Sequence, residues 1–446
     1  MFTIPEKFKK PLIVLAVLFL LLLAVNMPTL WPKIANRLDT LRTEITYIIN
    51  PPDKAVFLPG KTGSTQTAAT KPATVASPTA RPTATKGPTA IPTLTSTPMP
   101  SQAILPGVVY VDQHNRWNYC GPANLTMALN FWGWNGNRDD VAKVIKPGEN
   151  DLKKDFIQRG KTDKNVMPYE MVDFVNNQTD YNAFQRFGGN MPLLKDFISN
   201  GIPVLIEKGY YERDYTGKIT WMGHYLFVTG YDDTQGVFIV QDAYLKPGKD
   251  MQVKYADFDE GWRSFNYLFM VIYPDDKQPI VSTVAGEYMD MDASAQIALA
   301  RGTEDQKTAT GMDLFFTWFN IGTNHVQLAQ YNDAADAFDQ AFQVYATLDE
   351  KDIQRPYRMM WYQTSPYKAY YYTQRYQDVI ALANTTLNET MDKPTLEESL
   401  YWRAMAELAL GDRFSGVADL QQAVYYNPNM AIALQQLKDL NASTVP

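Results

Sequence analysis

Residues 118–134 read NYCGPANLTMALNFWGW, and their spacing decides how the middle of the chain folds. Pro122 suits the first turn of a helix, where its missing N–H costs nothing. Leu125, Ala128, Leu129 and Trp132 then recur at helical spacing and form one apolar face. Gly133 and the Asn135-Gly136 pair stop the run. Cys120 therefore stands at the start of a helix, where the dipole and the unbonded N–H groups favour an anion and lower a thiol pKa. The bland alternative is a buried structural thiol, since free Cys is among the most buried residue types.

A second stretch, GHYLFVTGYDDTQGVFIVQDAY at 223–244, carries two β-branched and aromatic runs around the turn-rich DDTQG. That pattern predicts a hairpin. His224 opens the first strand and Asp242 closes the second. The even interval between them puts both on one face, level if the turn centres on Asp233 and diagonal if it centres on Thr234. An acid beside a His fixes the ring tautomer and stabilises the imidazolium. The bland reading is an exposed strand-end pair. Together, a thiol at a helix start, a distant His and a following acid make a nucleophile, base and orienter set.

Composition narrows the alternatives. The chain has 446 residues, 45% hydrophobic and 20% charged, which suits globular structure in two or three domains. A formal net charge of -7 argues against a nucleic-acid partner, because phosphate binding needs a basic surface. The single Cys excludes an internal disulfide and a thiolate zinc site. Only His114, His224 and His325 can partner it. His114 reads as a loop residue and His325 as structural. No metal or cofactor is called for.

Residues 11–31 form an apolar run with LIVLAVLFLLLLAV at its centre. About 20 residues at ~1.5 Å each match a bilayer core. Lys7, Lys9 and Lys10 precede it, so residues 1–10 are expected in the cytoplasm and everything after the span outside. Trp31 sits where an interfacial aromatic belongs. The rival, a cleaved signal peptide, lacks a small-x-small site. This predicts a single-pass anchor in the cell membrane.

Residues 32–100 read as an extracytoplasmic linker. Ten prolines between 51 and 100, and twelve threonines between 62 and 97, leave too little apolar surface to offset ordering entropy. A short helix is expected within 33–50. The first folded region then spans 101–275 and a helical one 290–440, with a polar connector at 275–278. Within the first, Asn190–Gly201 reads as a short helix, and GIPVLIE at 201–207 and LFMVIYP at 268–274 as buried strands. Trp221 and Tyr225 flank His224 as packing or cleft residues.

Residues 101–273 resemble the C39-like group of papain-like cysteine peptidases. The resemblance is carried by DQHNRWNYCGPANLTMAL, GIPVLIE, GHYLFVTGYDD and VFIVQDAY, in that order. It implies an α+β papain-like fold, with a helical part carrying the Cys packed on an antiparallel sheet carrying the His and the acid. It implies Cys120 as nucleophile, His224 as base and Asp242 as orienter. It also implies an oxyanion-binding Gln six residues before the Cys. That position is His114 here, so Gln113 is taken with a one-residue insertion, and Asn115 or Asn118 are the alternatives. The backbone N–H of Cys120 is the second donor. The implied activity is hydrolysis of peptide amide bonds. An amidase or acyl transferase using the same three residues, and a non-catalytic binding scaffold, are the competing readings. The chain lacks the Gly-Lys phosphate loop of an ATP-driven transporter.

In the helical region, Phe315, Trp318, Ile321, Gly322, Ala334, Phe338 and Ala341 resemble one tetratricopeptide repeat. Ala404, Gly411, Gly416, Leu420, Ala423 and Pro428 fit another. A weaker unit around Tyr376–Ala383 has Pro366 where its first helix should be. Such arrays present a concave face, which makes a peptide substrate or protein partner the expected ligand. A brace for the first domain is the alternative. The tyrosine-rich stretch 359–376 is expected to include contact surface.

Overall fold

The computed structural model describes residues 54–60, 99–116, 118–148, 163–213, 219–348, 355–389 and 395–445, with positions 38, 41, 45 and 49. The expected membrane span at 11–31, the tail before it and most of the linker lie outside these residues. Among the described residues no helix is long and apolar enough to cross a membrane.

The first folded region runs β1 (Gln102–Ile104), α1 (Cys120–Phe131), α2 (Arg138–Ile145), α3 (Pro168–Gln178), β2 (Asn182–Arg186), α4 (Met191–Ser199), β3 (Val204–Arg213), β4 (Ile219–Asp232), β5 (Val237–Gln241), β6 (Met251–Lys254), α5 (Tyr255–Arg263) and β7 (Phe269–Tyr273). The strands form one antiparallel sheet in the order β2-β7-β3-β4-β5-β6, with β1 added to the end of β4. The expected helix at 190–201 and the strands at 204 and 269 are present, and the hairpin is β4–β5. Helix starts follow local chemistry. The Asn190 side chain accepts from Leu193 N–H at 2.9 Å, and Asn137 with Asp140 closes a capping box on α2.

Both faces of the sheet are covered, which is why its central strands read as unbroken apolar runs. Alternate residues serve opposite cores. Leu205, Phe227, Met270 and Ile272 pack with α1, α2 and α3. Val204, Ile206, Leu226, Val228 and Val271 pack with α4 and α5.

The helical region runs α6 (Gln278–Ala285), α7 (Met291–Asp305), α8 (Gly311–Gln327), α9 (Tyr331–Thr347), α10 (Met359–Tyr362), α11 (Ser365–Tyr372), α12 (Tyr376–Asn384), α13 (Glu397–Ala409), α14 (Arg413–Tyr426) and α15 (Ala431–Asp439). The connector expected at 275–278 is instead a 3-10 turn leading straight into α6. Pro366 does not break a helix, because it lies in the first turn of α11, where no N–H is needed. The small residues act as expected of close-packed helices. A Cβ on Gly322 would lie 2.7 Å from the Phe338 ring, and one on Gly416 2.7 Å from Leu408. Assignment of these helices to the tetratricopeptide family rests on the sequence offsets alone.

The two regions share a core. Trp221, Phe265 and Leu268 of the sheet domain pack among Phe316, Met359 and Met360 of the helices. Trp221 thus belongs to this interface, stacked on Phe265 at 5.5 Å. A polar clasp adjoins it. The fully buried Lys164 ammonium meets Glu170 at 2.6 Å and Glu397 of α13 at 3.1 Å. Two carboxylates offset a desolvation cost that one partner would leave uncompensated.

Part of the expected linker is also docked. Phe57 is 6% exposed within the helical core, edge-on to Phe342 at 5.0 Å, and Gly60 N–H donates to Asp378 Oδ1 at 2.8 Å. One large apolar ring suffices to fix a segment whose surroundings in sequence carry none. Phe57→Ala should lower stability by about 3 kcal/mol. The expected readout is a lower urea midpoint for unfolding of the helical region, with the slope unchanged.

Candidate active site

Cys120 is the first residue of α1 and His224 lies in β4, so the relative placement of these two elements decides the chemistry. Asn124, one turn into α1, fixes that placement. Its Nδ2 donates to Cys120 O at 2.9 Å and to Tyr225 O at 3.0 Å, which ties the helix start to the strand beside His224. Asn124 is fully buried, and a polar side chain is kept there because its protons are used.

The hairpin register then sets the acid. Near the turn Tyr231 stands opposite Phe238; further along Val228 stands opposite Val240, with a β-bulge between Val228 and Gly230. The extra residue, Thr229, changes the parity of the ladder. Without it, Phe227 would stand level with position 242 and His224 would face away from it. With it, His224 and Asp242 share a face diagonally, so the Thr234-centred register is the one adopted. His224 Nε2 meets Asp242 Oδ1 at 2.8 Å. The same Oδ1 accepts from the backbone N–H groups of Tyr244 at 2.8 Å and Leu245 at 2.9 Å. With Nε2 committed to the acid, Nδ1 is the nitrogen left for the thiol, and the His224 ring is near enough to Cys120 for each to shift the other's pKa. Cys120 is 8% exposed, His224 3% and Asp242 1%.

Burial alone would neutralise all three groups, and mutual charge reverses this. Burial pushes the Cys120 thiol up, but the hydrogen bond and charge of His224 bring it below its ordinary value. Burial pushes His224 down, but the Asp242 carboxylate, and then Cys120, raise it. Burial pushes Asp242 up, but His224 and the two backbone N–H groups hold it at about 2. The signs define a window. The His224 contribution is fully present below its unfolded pKa and is lost as pH rises through the raised folded value. The Asp242 contribution is present above its unfolded pKa and is lost as pH falls towards about 2. Neutral pH lies inside both limits.

A small cavity with room for about one water opens beside the sulfur. It is lined by Asn118, Asn165, Val166, Glu207, Gly223, Tyr225 and Tyr362. Glu207, 3% exposed on β3 opposite Tyr225, has its carboxyl pushed well above the usual range by burial and by the charge of Cys120. Tyr225 passes a hydrogen bond from its hydroxyl to Val166 O at 2.9 Å. Gln113 is not among the lining residues. It is buried, its N–H donates to Ala243 O at 2.9 Å, and its Oε1 has no hydrogen-bond partner among the described residues. Asn118 lines the cavity, but its Nδ2 is spent on Asn165 Oδ1 at 2.7 Å and Lys164 O at 3.3 Å. Asn115 adopts a left-handed turn conformation, φ 68°. His114 is stacked on Tyr244 at 5.4 Å and bonded to Asp112 at 2.8 Å, and it is not among the residues lining the cavity. His325 bonds Gln330 on the helical region, outside the site. Glu207 was legible only as an acid at the end of an apolar strand. Tyr362 lies in the tyrosine-rich stretch expected to include contact surface, but nothing in that stretch marked the thiol as what it would meet, because it arrives from another region.

A family model described as Peptidase_C39 like family matches residues 106–270, a stretch that includes Cys120, His224, Asp242 and Gln113. Among solved structures, the chain is similar to a Bacillus anthracis protein described as a C39-like peptidase. The two are 17% identical, over 38% of this chain and 96% of that one, with a TM-score of 0.30, too low to bear on the site. No curated protein matches the chain.

Asp242→Asn keeps a polar side chain but removes the charge that raises His224. Burial then wins at the imidazole, and a neutral ring no longer favours the thiolate. Alkylation of Cys120 by iodoacetamide at about pH 6 is expected to fall by about tenfold or more. It should recover only as pH approaches the ordinary thiol range.

Proposed function

We propose that the chain is a cysteine peptidase in which Cys120, His224 and Asp242 act as a catalytic triad. The observation that carries this is the 2.8 Å hydrogen bond from His224 to Asp242, with the Cys120 thiol at the start of α1 near enough to the same ring for its pKa to be lowered by it. The Cys120 thiolate attacks an amide carbonyl carbon, and the carbonyl oxygen takes up the charge. Collapse of the tetrahedral adduct breaks the C–N bond as His224 donates its proton to the leaving amine. Water, deprotonated by His224, then attacks the thioester and releases the acid. Asp242 holds the ring through Nε2 so that Nδ1 serves the sulfur throughout.

The oxyanion is assigned to the backbone N–H of Cys120 and to the Gln113 amide, because Asn118 has committed its side-chain protons. Residues 11–31 serve as a membrane anchor with the folded body extracytoplasmic. The helical region positions a peptide or protein substrate, or a protein partner. The same triad serves an amidase or acyl transferase, so the acyl acceptor and leaving group need direct measurement.

A thiol-reactive peptide probe should label Cys120 at neutral pH in the wild type and fail to do so in His224→Ala. Cys120→Ala should lose all cleavage of a peptide library. Labelling that persists undiminished in His224→Ala would leave a binding scaffold with an ordinary thiol. Turnover of small amides but not peptides would leave an amidase.

A further inference from the structure

We propose that Glu207 is a substrate-binding residue of this site: its carboxyl group, in the cavity beside the Cys120 sulfur, gives a hydrogen bond to the main-chain carbonyl oxygen one residue before the scissile bond. The proposal rests on the peptidase reading and adds which side chain receives the acyl part of the substrate.

Glu207 is placed by the register that places the triad. It stands on β3 directly opposite Tyr225, the residue after His224. Tyr225 O accepts from Asn124, whose other bond goes to Cys120 O, so Glu207 is one strand away from the link that fixes the thiol. Leu205, two residues earlier, packs on the α1 side of the sheet, and strand alternation turns Glu207 to that same side. There it walls the cavity together with Cys120, Gly121, Gly223 and Tyr362.

The cavity has room for about one water, which suits a carbonyl oxygen and is too small for most side chains. Such an oxygen needs a donor. Asn118 has spent its amide on Asn165 Oδ1 at 2.7 Å and Lys164 O at 3.3 Å. Asn165 directs its own amide to Trp361 O at 3.0 Å, and the Tyr225 hydroxyl donates to Val166 O at 2.9 Å. Apart from the thiol, the Glu207 carboxyl and the Tyr362 phenol are the side-chain groups left. Glu207 is buried, and among the described residues no lysine or arginine forms an ion pair with it. Burial and the charge of Cys120 push its carboxyl well above the usual range, which favours the proton that the bond requires. Burying an acid without a basic partner costs stability, and such groups gather where a site uses them.

The test uses the full chain with three variants. Glu207→Gln keeps a donor of the same shape, Glu207→Leu keeps the volume without one, and Tyr362→Phe removes the competing phenol. Cys120 is alkylated at neutral pH by iodoacetamide, which carries no preceding residue, and by acetyl-dialanyl chloromethyl ketone, which carries one. Glu207→Leu should slow the ketone about tenfold relative to iodoacetamide, the size of one hydrogen bond, while Glu207→Gln and Tyr362→Phe stay within about threefold of the wild type. Peptide-library turnover by Glu207→Leu should show a KM about tenfold higher with kcat little changed. Wild-type ketone rates in Glu207→Leu, equal slowing of both reagents, or a Gln variant as slow as the Leu variant would overturn the proposal. So would a fall in kcat at constant KM, which would move Glu207 to the oxyanion. The alkylation comparison needs no turnover, so it decides Glu207 even where no peptide is cleaved. The peptidase reading falls separately, if neutral-pH labelling survives His224→Ala.

Discussion

The distance between a helix start and a strand is what this site depends on, and the Asn124 amide sets it. One side chain donates to the carbonyl of the thiol residue and to the carbonyl next to the imidazole residue. Everything else at the centre presupposes that link. The sulfur meets the ring only because α1 cannot slide along β4, and the ring keeps its angle only because Asp242 holds the far nitrogen. Apolar packing of Leu125, Leu129 and Phe227 supplies the force that joins the layers. Such packing tolerates small shifts, whereas two directed hydrogen bonds do not.

The electrostatics obey the same economy. Burial disfavours the charged form of each of the three central groups, and in each the neighbouring charge outweighs it. Glu207 is the exception that fits the rule. It faces the same cavity, and burial and the charge of Cys120 push its carboxyl well above the usual range. A second carboxylate beside the sulfur would oppose the thiolate; a carboxylic acid there does not. The clasp at Lys164 repeats the logic at the seam between the regions, with charge buried only where opposite charge meets it.

Much of this was legible in the residues, and the failures have physical causes. Cys120 at a helix start and the β4–β5 hairpin follow from periodicity and turn chemistry, which are local. The parity of His224 and Asp242 was legible as well, but the bulge at Thr229 that preserves it was not. The ladder and the pairing with β1 set a bulge, and Gly230 beside it is only a weak local mark. Pro366 looked like a break because its position within the helix could not be known, and the first turn forgives what the interior does not. The partners of Tyr362 and of Phe57 were hidden for a different reason. Each acts through contacts with residues more than a hundred positions away, and sequence spacing carries nothing about those.

Phe57 alters the geometry of attachment in a way its size does not suggest. With an anchor ending at residue 31, as proposed, a free linker to residue 100 would let the folded body wander up to about 240 Å from the bilayer at full extension. Because the chain is seated on the helices by Val56 and Phe57, the leash is only the stretch 32–55, about 80 Å at its longest. The threonine- and proline-rich tract then leaves the body at Gly60 and rejoins it at Met99, so its length adds nothing to reach. With such an anchor, whatever the thiol acts on would have to come within that leash of the bilayer.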